Sequence, residues 1–203
     1  MKELVKKQLA QSIATMQAVL ADEHIADTLV SVGKLTADAM KSGNKLLVAG
    51  NGGSAADAQH LVAEFVVRLT VNRPALRAIA LTTDSSILTA TGNDFGYDRL
   101  FERQIEALGQ SGDVFLGIST SGNSPNIVKA LHQAQKMGIT TVGFSGNDGG
   151  QMRCLCNYNV VIPSAVTMNI QESHLALEHI FCMIVERFTF GEDFENKPQI
   201  LSE

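Results

Sequence analysis

Cysteine is scarce in this 203-residue chain, and neither a basic block nor a long apolar run is present. The three cysteines are Cys154, Cys156 and Cys182. An odd count with no apolar signal core reads as reduced thiols rather than a disulfide framework. Cys154-x-Cys156 is not a zinc spacing and is read as structural. The formal net charge is −5, which argues against nucleic acid as the primary ligand. No apolar stretch approaches the roughly 18 residues of a membrane span. The amphipathic start, Met1 to Lys7, runs on as helix, so the expected location is the cytoplasm. No internal repeat and no interdomain linker break the chain, which is read as one domain over 1–203.

Two nucleotide signatures are also missing. There is no GxGxxG run and no Walker lysine. In their place stand two polar loops, each after an apolar run and before a helical pattern. Gly50-Asn51-Gly52-Gly53-Ser54 follows Leu46–Ala49, and Ser119-Thr120-Ser121-Gly122-Asn123-Ser124 follows Val114–Ile118. Free backbone N–H groups, the positive end of a helix dipole and hydroxyl donors make such turns anion cradles. Taken alone, the glycine loop is equally an ordinary tight turn. The serine loop is richer than turn chemistry requires, although Ser124, just before Pro125, also suits a helix N-cap. Two cradles point to a ligand carrying a phosphate.

Val5, Leu9, Ile13, Met16 and Leu20 recur at steps of three and four, which predicts a helix. Leu29, Val32 and Leu35 predict a second, ending near Ser42-Gly43. This lead-in, residues 1–43, has little to pack on alone and is expected to meet a partner subunit. Strands are then expected at 45–49, 76–81, 113–118, 139–145 and 159–162. Helices are expected at 54–68, 85–92, 97–108, 125–137 and 167–189. Such alternation over 44–190 predicts an α/β fold with a parallel sheet covered on both faces, its ligand beyond the strand C-termini. The stretch 191–203 reads as a loose polar tail.

His60 and Glu64 are four apart on the helix opened by Ser54, hence on one face. They suit a metal pair or a base with its partner; as an isolated pair they equally suit a solvated helix face. Gln171, His174 and His179 form a polar stripe on an otherwise apolar helix, which needs partners. One histidine from each helix, with a carboxylate and an amide, suits either a divalent ion or acid–base work on a sugar phosphate. Asn93-Asp94 lies in a turn by composition and offers hydrogen bonds to ligand hydroxyls.

Read together, Gly50–His60, Ala80-Leu81-Thr82-Thr83-Asp84, Gly92-Asn93-Asp94, Gly112-Asp113-Val114, Gly117–Ser124 and Ile170–His174 closely resemble the phosphoheptose isomerase family of the sugar-isomerase (SIS) domain superfamily. The resemblance covers nearly the whole chain. It implies a flavodoxin-like sheet flanked by helices, a homotetramer with sites at subunit interfaces, and conversion of sedoheptulose 7-phosphate to its aldose. By the same resemblance, Asn51, Gly52, Gly53, Ser54, Arg68, Asn93 and Asp94 bind substrate, and Ser119, Thr120, Ser121 and Ser124 hold its phosphate. His60, Glu64, Gln171 and His179 are implied to ligate zinc, Glu64 and Gln171 also touching substrate. Glu64 and His179 match the catalytic base and acid. Two positions depart from the family pattern: Val67 stands where a glycine precedes Arg68, and Asn169 stands where arginine is usual. The alternative reading is a non-catalytic SIS tetramer that scaffolds a replication-initiation protein; retention of Glu64 and His179 favours the enzyme. A SIS sugar-phosphate sensor would bring a DNA-binding segment, for which 203 residues leave no room.

Overall fold

The computed structural model describes residues 1–191; the expected polar tail, beyond Gly191, lies outside the described residues. Helices α1 (Lys2–Ala21) and α2 (Glu23–Lys41) lead into strand β1 (Leu46–Ala49), helix α3 (Gly53–Val66) and strand β2 (Ala78–Ala80). Helix α4 (Ser85–Asp94), a 3-10 turn (Tyr97–Arg99) and helix α5 (Leu100–Leu108) precede β3 (Val114–Ser119), α6 (Pro125–Lys136) and β4 (Thr140–Gly146). A short α7 (Met152–Leu155), β5 (Tyr158–Ile162) and the long α8 (Thr167–Phe190) complete the described chain.

All strand pairs are parallel, in the order β2-β1-β3-β4-β5. That is the flavodoxin-like order, whose crossovers reverse direction between β1 and β3. The two central strands are buried at every residue, so their apolar runs face helices on both sides. Alternate residues feed two cores. Leu46, Val48, Leu116 and Ile118 pack with α2, α3 and α8; Leu47, Ala49 and Phe115 pack with α5, α6 and α7. The glycine loop therefore leaves β1, and the serine loop leaves β3, side by side at the switch point.

The expected strands and helices are found, with shifted ends. Strand β2 shrinks to three residues. Asn93-Asp94, expected in a turn, forms the last residues of α4: the Phe95 N–H still reaches the Thr91 carbonyl, so the helical ladder continues through them. The lead-in divides in two. Helix α2 is a core helix, burying Ile25, Leu29, Val32 and Met40; Gly33 lets α8 approach, since a Cβ there would meet Ile184 Cγ2 at 2.3 Å. Helix α1 buries only Thr15 and Val19 and leaves Leu4, Val5, Leu9, Ile13 and Leu20 exposed.

Candidate active site

The glycine loop is shaped by two glycines. Gly52 sits at φ +56°, with open space where a side chain would point, so the α3 N-terminus stays accessible. At Gly53 a Cβ would strike the Gln171 side chain at 2.3 Å. Ser54, next to it, is buried.

The serine loop holds its hydroxyls together. Ser119 Oγ lies 2.9 Å from Ser124 Oγ and 3.5 Å from Ser121 Oγ. Ser124 occupies the N-cap position of α6 with Pro125 following, yet its side chain makes no cap bond. Its hydroxyl is committed to Ser119 rather than to the helix, so the capping role fails and the anion-binding one remains open to it. Thr120 is half-buried and Ser121 exposed.

The third component joins α3 to α8. His60 Nε2 lies 2.8 Å from His179 Nε2 and 3.5 Å from Glu64 Oε1. The two rings meet edge-on at 74°. At 2.8 Å one ring nitrogen must carry a proton and the other accept it. One donor atom from each of His60, Glu64 and His179 lies within 4.8 Å of the other two. Two imidazole nitrogens and a carboxylate oxygen are the donor types of a three-ligand site with an open position, so this group can hold a metal ion.

Gln171 lies on α8, about two turns before His179. Its Nε2 donates to Asp57 Oδ2 at 2.9 Å, about one helical turn before His60 on α3. Burial raises the Asp57 carboxyl above its ordinary range, opposed by the Gln171 hydrogen bond and the proximity of His60. Beside it, Glu178 is fully buried, and neither of its carboxylate oxygens has a partner among the described residues. Burial, reinforced by Asp57, pushes Glu178 to about 8.

Asn93 and Asp94 are exposed and bond to each other, Nδ2 to Oδ1, at 2.7 Å. Arg68 lies exposed past the end of α3. The two departures from the family pattern lie in different surroundings. Val67 is the exposed residue that closes α3, and Asn169 is buried, with Nδ2 at 3.5 Å from Thr15 Oγ1 on α1.

Three residues beside the site carry no local sequence signal. Arg73 is buried against Glu186 and holds the end of α3. Asn126 bonds reciprocally to Asn51, and Tyr97 reaches the same Asn51. Arginine after a loop asparagine, or asparagine in a first helical turn, is too common to single out.

The SIS domain family model matches residues 9–146. A phosphoheptose isomerase of Burkholderia pseudomallei is 52% identical over 188 residues, covering 93% of this chain and 95% of the relative. One from Aneurinibacillus thermoaerophilus is 50% identical over 194 residues, covering 96% and 98%. The solved phosphoheptose isomerase of Neisseria gonorrhoeae superposes with a TM-score of 0.86 at 38% identity, covering 91% of this chain and 98% of that one. The non-catalytic alternative gains no support from these relatives. The chain belongs to the phosphoheptose isomerase family of SIS-domain proteins, and it is an isomerase.

Proposed function

We propose that this isomerase converts sedoheptulose 7-phosphate to D-glycero-D-manno-heptose 7-phosphate, an early step in supplying activated heptose. The observation that carries the reading is the meeting of His60, Glu64 and His179 across two helices, of which α3 is the one opened by the glycine loop. A ketose becomes an aldose by moving one proton from C1 to C2 and another from O1 to O2, which needs a base and an acid near the enediol. Glu64 takes the carbon-bound proton and returns it to the neighbouring carbon. His179 moves the oxygen-bound proton, its ring held by His60 at 2.8 Å. Ser119, Thr120, Ser121 and Ser124, with the α6 N-terminus, grip the phosphate; that remote grip fixes the reacting end. Asn51, Gly52, Gly53, Ser54, Arg68, Asn93, Asp94 and Gln171 bind the sugar hydroxyls.

The donor set of His60, Glu64 and His179 fits zinc. When bound, zinc polarises the carbonyl and steadies the enediolate charge. Gln171, the implied fourth ligand, donates its Nε2 to Asp57, which leaves Oε1 to serve the metal or the sugar.

The exposed apolar face of α1 supports a homotetramer, because so long an uncovered stripe needs a partner surface. Sedimentation tests this, and a stable active monomer overturns it. The proposed setting is the cytoplasm, with no nucleic-acid partner. Incubating the pure protein with sedoheptulose 7-phosphate and following aldose formation tests the activity. Turnover is expected; its absence, with turnover of another sugar phosphate, overturns the substrate.

A further inference from the structure

We propose that Asn126 is a positioning residue for the isomerisation, acting through Asn51. The inference rests on Asn51 lying in the sugar-binding segment, as proposed above. Asn51 leaves β1 and Asn126 sits in the first turn of α6, so the contact bridges the glycine loop and the helix that begins at the serine loop. Asn51 Nδ2 donates to Asn126 Oδ1 at 2.9 Å, and Asn126 Nδ2 donates to Asn51 Oδ1 at 2.8 Å. Asn126 is 1% exposed.

The orientation of both amides follows from one backbone group. The Ile127 N–H donates to Asn126 Oδ1 at 3.0 Å, so that atom must be the oxygen and its neighbour the donor. Asn51 Oδ1 must then accept, and Tyr97 Oη, 2.9 Å away, must donate to it. Both lone pairs of Asn51 Oδ1 are thereby used. One N–H of its Nδ2 is used as well, leaving a single N–H. Asn51 can therefore offer a ligand only a donor, and in only one direction. A freely rotating amide would offer either end. The turn carrying Tyr97 is itself tied to α6 by the Asp98–Lys129 ion pair, one helical turn beyond Asn126. Tyr97 also lines a cavity of about 290 Å³ with Gly50, Asn51, Gly52, Thr82 and Leu88, so the clasp forms part of a wall at the loop.

A fixed donor suits an oxygen that gains charge as the enediol forms, since it needs no reorientation at that moment. Loosening it should affect turnover more than ground-state binding.

The test is a double-mutant cycle on the full-length protein with sedoheptulose 7-phosphate. Asn126→Ala is expected to lower kcat by about 10- to 100-fold, the scale of a small misplacement near the chemistry, with little change in KM. The Asn51→Ala, Asn126→Ala double variant is expected to be no worse than Asn51→Ala alone, because both remove one device. An unchanged kcat in Asn126→Ala, or losses that multiply in the double variant, overturns the proposal. Asn126→Asp keeps the volume and the acceptor for Ile127 but turns an oxygen toward Asn51 Oδ1; it is expected to lose kcat likewise. If neither Asn126 variant folds, Tyr97→Phe decides. The exposed phenol loses one hydroxyl, and a kcat drop that vanishes in an Asn51→Ala background supports the clasp, while full kcat overturns it. Wild-type protein without turnover of sedoheptulose 7-phosphate would overturn the proposed substrate instead. The clasp then remains readable by NMR, as slowly exchanging Asn51 and Asn126 side-chain amides.

Discussion

Arg73 Nε lies 2.6 Å from Glu186 Oε1, and the same guanidinium donates to the carbonyls of Glu64 and Phe65, also at 2.6 Å. The pair is almost fully buried. It does two jobs: it neutralises a carboxylate on α8, and it satisfies carbonyls at the end of α3 that have no helical partner. The end of α3 so held is the turn that carries Glu64. Arg73→Leu is expected to cost about 3–5 kcal/mol, because it strands a buried charge. Arg73→Leu with Glu186→Leu should recover much of that stability. Urea unfolding of the three proteins checks this, and a single variant as stable as wild type would refute it.

Glu64→Gln keeps shape and removes basicity. Turnover should fall by about 10²–10⁴-fold with unchanged circular dichroism. Residual activity well above ~1% of wild type would remove Glu64 from the role of base.

Ser121→Ala should mainly raise KM. Its hydroxyl is exposed, and within the loop it accepts only the Asn123 N–H and lies 3.5 Å from Ser119. Loss of a ground-state phosphate contact acts on binding. A collapse of kcat at constant KM would contradict the phosphate assignment.

Acid should destabilise the protein through His174. The ring is fully buried against Phe144, and its Nε2 donates to the Ser145 carbonyl at 3.0 Å, leaving Nδ1 without a partner among the described residues. Burial, partly opposed by that hydrogen bond, pulls the imidazole down to about 4. The folded pKa thus lies below the ordinary 6.5. Its stabilisation is complete above pH ~6.5 and is lost as pH falls toward 4, because only the unfolded state takes up the proton. The loss is at most about 3 kcal/mol. His174→Gln should flatten the stability profile over this window in pH-dependent denaturant titrations; an unaltered profile would rule His174 out as the titrating group.

Removing metal should lower activity. Zinc is expected in the active protein by elemental analysis, and a strong chelator should reduce turnover, with zinc restoring it. Full activity in chelator with no divalent metal detected would discard the metal and leave Glu64 and His179 standing.

Much of this molecule is written in local sequence. The apolar runs at 46–49 and 114–118, short and each followed by a glycine or serine loop, read as buried strands, and they are buried at every residue. The spacing of His60 and Glu64 puts both on one face of α3 whatever the rest of the chain does. Boundaries were less legible. Asn93-Asp94 has turn composition, yet the ladder of α4 runs through it, because helix ends depend on where the chain is next needed.

What only the tertiary structure decided are contacts between residues more than about seventy positions apart. His60 meets His179, Gln171 meets Asp57, Arg73 meets Glu186 and Asn51 meets Asn126. No periodicity encodes these pairs, since each depends on which helix lies on which face of the sheet and at what height. The same holds for α1 and α2, both of which carry apolar residues at helical spacing. One became core and the other stayed exposed, because α2, α3 and α8 already cover that face of the sheet and leave α1 largely uncovered.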